Sequence, residues 1–333
     1  MRFKIILFLQ LLTVFSYQNL SASIDRCNSE QQLKINQTLG FLNQRSFPSL
    51  IKRELLKARK YYNKYSYQIK ANNAGREQKV DFFYYESTVG ENIEKPTILL
   101  FSGVQGISIL ERYIASKLTK KGFSVVISSL KKIEELDHIK KVKPFLLFSV
   151  FSSLNVLDFV SKIRGVDSNN ISTIGVSLGG FRALYLSLLD LRIKSNVLVV
   201  SGLSISKAIA YSSLEIAKEL RRKQMKGLNL EEHEQDKYFQ ALKKEIPFKA
   251  KDFICRRKTE DYFLFQSKKD TAVPYPQQIE LLNSLGSPKV KTSLSFGHKG
   301  TVVLYALLGL KPSLIFIKES LTNLWEGSTL AIS

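Results

Sequence analysis

The chain has 333 residues, 44% of them hydrophobic, and a formal charge of +21. A chain of this length can bury a large core, as one big domain or two smaller ones, and its ordinary glycine and proline content excludes a disordered protein. The basic residues are dispersed and interleaved with acids, as in "KKIEELDHIKKVK", and no aromatic-interleaved basic motif of the RNA-binding kind occurs, so no nucleic-acid partner is expected. Contact of so basic a surface with an anionic membrane or cell envelope stays open.

The N-terminus, "MRFKIILFLQLLTVFSYQNLSASIDRC", places Arg2 and Lys4 before an apolar run from Ile5 to Phe15 and then small polar residues. This is the layout of a secretory signal peptide over residues 1–22, with cleavage after Ala22, and it predicts an exported protein, periplasmic or secreted. The apolar run is too short for a typical spanning helix. Cys27 and Cys255 are the only cysteines. Sequence leaves their state undecided between a disulfide and two separate thiols, because proximity cannot be read from spacing. With no Cys-x-x-Cys pair and three scattered histidines, no metal site and no cofactor is expected.

Residues 23–64 are predicted as an N-terminal helical segment. In "PSLIKRELLKARKYY", Pro48-Ser49 serves as a start signal and apolar residues follow at helical spacing. "YSYQIKA" and "VDFFYYES" predict two strands joined by the turn-rich "NNAGRE". From "TILLFSG" onward, short apolar strands alternate with helical patterns. Strands are expected at "SVVISSL", "ISTIGVS", "KSNVLVVSG", "YFLFQS" and "VKTSLSF", and helices at "ISILERYIASKLTKKG", "PFLLFSVFSSLNVLDFVSKIRG", "GFRALYLSLLD" and "YPQQIELLNSLG". This alternation predicts an α/β protein, a mostly parallel sheet with helices on both faces. Two amphipathic helices at about 203–261 interrupt the rhythm and predict a cap inserted over one end of the sheet.

The chemistry centres on "ISTIGVSLGGFRALYLSLLD". With 17 glycines in the chain, about 0.1 chance matches to Gly-x-Ser-x-Gly are expected, so the motif gains meaning from its position between a strand and a helix. A nucleophilic serine must stand clear of its own backbone, and a sharp strand-to-helix turn achieves this. Gly175 and Gly179, two residues either side of Ser177, remove side chains that would collide there. A serine also needs a base, and a carboxylate to orient that base. His138 and His233 sit in charged helical runs, whereas His298 lies in "SLSFGHKG", just past an apolar strand. Asp270 follows the strand "YFLFQS" within "SKKDTAVPY".

Gly-Val-Ser-Leu-Gly-Gly resembles the nucleophile elbow of the α/β-hydrolase superfamily, and the order Ser177, Asp270, His298 is similar to the order of its triad. The resemblance covers about residues 65–310. It implies a serine hydrolase with a helical cap and an acyl-enzyme intermediate. It also implies an oxyanion hole from the backbone N–H groups of Leu178 and Val104, with Gln105 as a second candidate for the latter. The histidine that often precedes the donor loop in the superfamily is absent here, where Ser102-Gly103 stand. A carboxylic ester of a small molecule or lipid is the expected substrate, with thioester, amide or peptide cleavage as alternatives on the same triad. A hydrolase-like envelope protein that binds acidic glycan or lipid without turnover is the alternative from another class. The sequence does not indicate an oligomeric state.

Overall fold

The computed structural model describes residues 26–90, 94–104, 106–128, 136–293 and 295–321. The expected signal peptide, 1–22, lies outside the described residues, as does Gln105. Among the described residues, nine strands form one sheet: β1 (Ser49–Arg59), β2 (Tyr62–Asn73), β3 (Arg76–Ser87), β4 (Lys95–Phe101), β5 (Ser124–Ser128), β6 (Val166–Val176), β7 (Ile193–Val199), β8 (Tyr262–Ser267) and β9 (Lys289–Ser293). Their order is β1-β2-β3-β5-β4-β6-β7-β8-β9. The first three strands and β5 pair antiparallel, and β5 through β9 pair parallel. The expected mostly parallel α/β architecture is therefore present.

The period-2 alternation of a strand builds two cores from one sheet. In β4, Ile98 and Leu100 face one apolar cluster and Leu99 and Phe101 the other. The first cluster is closed by α2 (Ile109–Thr119) and by α10 (Leu310–Ser320), which follows α9 (His298–Leu304) through a π-helical turn at Tyr305–Gly309. The second is closed by α3 (Val142–Val160), α4 (Leu178–Leu189) and α8 (Tyr275–Ser284). Burial on both faces explains why β4, β5 and β8 are largely apolar runs in the sequence, while the edge strand β9, Lys-Val-Lys-Thr-Ser, is mostly exposed.

The predicted helical segment 23–64 needs correction. A helix, α1 (Ser29–Leu42), does form, but residues 49–59 are strand β1, the sheet's edge. β1 pairs with β2 around the turn at Lys60 and Tyr61, with irregularities between Leu50 and Lys52 and between Leu55 and Lys57. Each bulge resets the alternation of side chains. Leu50, Ile51, Leu55 and Leu56 therefore repeat at a helix-like interval although the backbone is extended. Every residue of β1 is exposed, so no core-facing pattern marks it as a strand.

The cap spans the interval between β7 and β8 and holds α5 (Ile205–Tyr211), α6 (Glu215–Gly227) and α7 (Gln235–Lys244). Two helices were expected across this interval, and three form, because the first is divided into α5 and α6. The break at residues 212–214 is imposed from outside: Ser213 donates its N–H to Thr271 O at 3.0 Å and its hydroxyl to Thr271 Oγ1 at 2.6 Å.

Cys27 and Cys255 are joined by a disulfide, with Cα atoms 5.1 Å apart across a sequence separation of 228. It ties the segment before α1 to the end of the cap, which closes a very long loop and restricts the unfolded chain. Reduction, or Cys27→Ser, is expected to lower unfolding free energy by roughly 2–5 kcal/mol. Urea denaturation with and without reductant measures this; an unchanged midpoint would contradict it.

Candidate active site

Ser177 occupies the single residue between the end of β6 and the start of α4. Its backbone has φ 55° and ψ −119°, a region that side-chain-bearing residues rarely adopt. The turn is held by two hydrogen bonds: Ser177 N–H donates to Val199 O, and Gly180 N–H to Ser177 O, each at 2.9 Å. The flanking glycines are required by contact. A Cβ on Gly175 would fall 2.6 Å from Gly180 Cα, and one on Gly179 would run into the carbonyl of Phe101. The elbow is thus pressed against β4, which brings the loop carrying Gly103 and Val104 next to the serine. Ser177 is 8% exposed, and among the described residues its hydroxyl has no hydrogen-bond partner.

His298 begins α9, and its Nδ1 lies 2.7 Å from Asp270 Oδ2. Asp270 is buried, and its other oxygen accepts the N–H groups of Ala272 at 2.8 Å and Val273 at 2.9 Å. Those two bonds fix the carboxylate plane, so Oδ2 is aimed at the imidazole. His298 and Ser177 line one cleft of about 210 Å³ together with Gly103 and Val104. His138 and His233 lie elsewhere, at short 3-10 turns.

Val104 meets Ser177 a second time, now with Leu178, around a smaller cavity of about 70 Å³. Its remaining walls come mostly from the cap, including Ile205, Ala208, Ile209, Leu214 and Ile216. From sequence these five could equally have been core packing; in the fold they surround the serine. Leu214 also lines the cleft that holds His298, so it stands between the two spaces. Their first turn of α4 contributes N–H groups without intrahelical partners and the positive end of the helix dipole.

Two residues that support the site were not apparent in the sequence. Gln278, fully buried on α8, accepts Ser267 N–H at 3.0 Å and donates to Val273 O at 2.7 Å, bracing the loop that carries Asp270. A glutamine among the apolar positions of an amphipathic helix was the only available signal. Arg182 on α4 is also buried; it donates to Ser128 O at 3.0 Å and stacks 4.6 Å above the Phe101 ring. Burial pushes its pKa down to about 9. It fastens the helix that follows Ser177 to the end of β5.

No family model matches the chain, and no curated protein matches its sequence. Solved structures do match. An acetyl xylan esterase from Paenibacillus sp. R4 superposes with a TM-score of 0.68 at 15% identity, covering 91% of this chain and 99% of that one. Acetyl xylan esterase 1 from Thermoanaerobacterium sp. JW/SL YS485 gives 0.62 at 15% identity, covering 85% and 94%. Est1E from Butyrivibrio proteoclasticus gives 0.53 at 16% identity, covering 73% and 96%. At these identities the likeness carries the fold.

Proposed function

We propose that this chain, which has the α/β-hydrolase fold, is a serine hydrolase that cleaves carboxylic esters with short acyl groups. The observation that carries the reading is the 2.7 Å contact between Asp270 and His298, with His298 facing the cleft that holds Ser177. With Nδ1–H donated to the carboxylate, Nε2 is the ring nitrogen left to act as a base. It takes the Ser177 proton as Oγ attacks the acyl carbon, and returns that proton to the leaving alcohol. The amides of Leu178 and Val104 stabilise the tetrahedral oxyanion, an interaction strengthened as negative charge grows on that oxygen. Water, activated by the same imidazole, then releases the acyl group.

Acyl length follows from volume. The apolar cavity beside Ser177 measures about 70 Å³, roughly half of the ~150 Å³ that admits a benzene ring. About three carbon atoms fit before the cap helices must move. The larger cleft on the His298 side, with Ser108, Glu111 and Lys299 on its walls, then receives the alcohol. That two structural neighbours are acetyl xylan esterases agrees with a small acyl group. The leader-like N-terminus and the Cys27–Cys255 disulfide support an exported enzyme, since such bonds persist in oxidising compartments.

Turnover of p-nitrophenyl esters of graded length tests this. Acetyl and butyryl esters are expected to exceed the octanoyl ester in kcat/KM by at least about tenfold, the cost of a modest steric clash. A fluorophosphonate adduct should map to Ser177. Failure to turn over any ester would overturn the reading, and a preference for long chains would overturn its short-acyl part.

A further inference from the structure

The helix that begins at His298 carries more apolar surface than the core uses. Over His298–Ser320 it is long and apolar enough to cross a membrane by composition, yet only 44% of its most apolar stretch is buried. The π turn at Tyr305–Gly309 accounts for part of the excess. It keeps Tyr305, Ala306 and Gly309 inward and turns the consecutive Leu307 and Leu308 outward together, at 63% and 66% exposure. π turns inside α-helices are frequent at functional sites. Val303 and Ile315 extend the same exposed stripe one turn and two turns away.

Beside the stripe runs a groove of about 260 Å³ between α2 and α10, floored by Leu310 and Leu314 and rimmed by Lys117, Lys121, Lys311 and Lys318. No carboxylate is among its described lining residues. The one acidic residue exposed at the end of α10, Glu319, is engaged with Lys289 at 2.8 Å. Partial burial and the Lys121 ammonium lower the pKa of Lys318.

We infer that this face docks the protein on an anionic lipid bilayer, with Leu307 and Leu308 entering the acyl boundary and the lysine-rimmed groove receiving headgroup phosphates. The pairing of apolar stripe and basic rim selects this occupant. A second copy would bring the same lysines against these under two-fold symmetry, in a chain already at +21. An acidic polymer in water would have no use for the leucines. A bilayer with anionic headgroups uses both. Docking would also orient the enzyme, because Lys299, Val302 and Val303 at the start of the helix line the cleft that holds Ser177. Esters at headgroup depth are then presented to the nucleophile.

The test is co-sedimentation of the protein, bearing the N-terminus it has in the cell, with phosphatidylglycerol or phosphatidylcholine vesicles. Partitioning onto phosphatidylglycerol is expected to be stronger and to weaken with salt. Lys117→Gln with Lys311→Gln should cut it about twenty-five-fold, at roughly fivefold per lysine. Leu307→Ser with Leu308→Ser should cut it at least about tenfold. Both double variants should hydrolyse a soluble ester as the parent does, and Ser177→Ala should bind vesicles normally, which separates docking from catalysis. Variants that bind like the parent would overturn the inference. So would equal binding to phosphatidylcholine, or a solution dimer that dissociates on replacing the two leucines.

Discussion

Replacing Ser177 with alanine is expected to lower kcat by a factor on the order of 10⁶ and to abolish fluorophosphonate labelling. The size of the effect follows from the shared mechanism: without Oγ no covalent intermediate forms, and the histidine and aspartate have nothing to activate. Folding should survive, because the hydroxyl has no internal partner among the described residues and the residue is small. The backbone supplies a second readout. At φ 55°, glycine avoids the cost that any Cβ incurs, so Ser177→Gly should gain about 1 kcal/mol of stability while losing activity equally. Stability rising as activity disappears would be hard to explain for a bystander serine in an ordinary turn. Full labelling of Ser177→Ala would end the nucleophile assignment.

Asp270→Asn is expected to lower kcat by about 10⁴ with little change in unfolding temperature. The asparagine carbonyl can replace Oδ1 as acceptor for the Ala272 and Val273 amides, so the loop keeps its shape. Its NH₂ group then faces His298 Nδ1, favours the tautomer with the proton on Nε2, and leaves no lone pair to accept the serine proton. Asp270→Ala would remove the loop's acceptor as well and confound stability with chemistry, which is why the amide is the informative change. Steady-state kinetics on a soluble ester together with thermal unfolding separates the two. Activity near the parent's would shift the orienting role to another group.

The sheet was legible because its central parallel strands are buried on both sides, a demand that leaves "TILLF", "ISTIGV" and "YFLFQ" strongly apolar. The elbow was legible because a sharp strand-to-helix turn needs small residues on both sides of the serine; Gly175 is dictated by backbone contacts within that turn, whereas the reason for Gly179, the approach of the Phe101 carbonyl, comes from a distant strand. What escaped the sequence depended on distant partners. β1 is defined by pairing with β2 and buries nothing, so its bulged pattern imitated a helix. The break between α5 and α6 is held by Thr271, almost sixty residues on from Ser213. Gln278 matters through the backbone groups it reaches on β8 and its loop. The apolar cap residues around Ser177 lie on helices that the sequence marks only as amphipathic, and only the folded chain separates the wall of a cavity from the inside of a core.

The Cys27–Cys255 link has a consequence for how the molecule is made. The two thiols are the chain's only ones, and they are separated by 228 positions. A growing polypeptide therefore presents an oxidant with a solitary sulfur until β7 and the cap helices have been synthesised. No mispaired intramolecular isomer can exist, and no isomerase is needed to choose between connectivities.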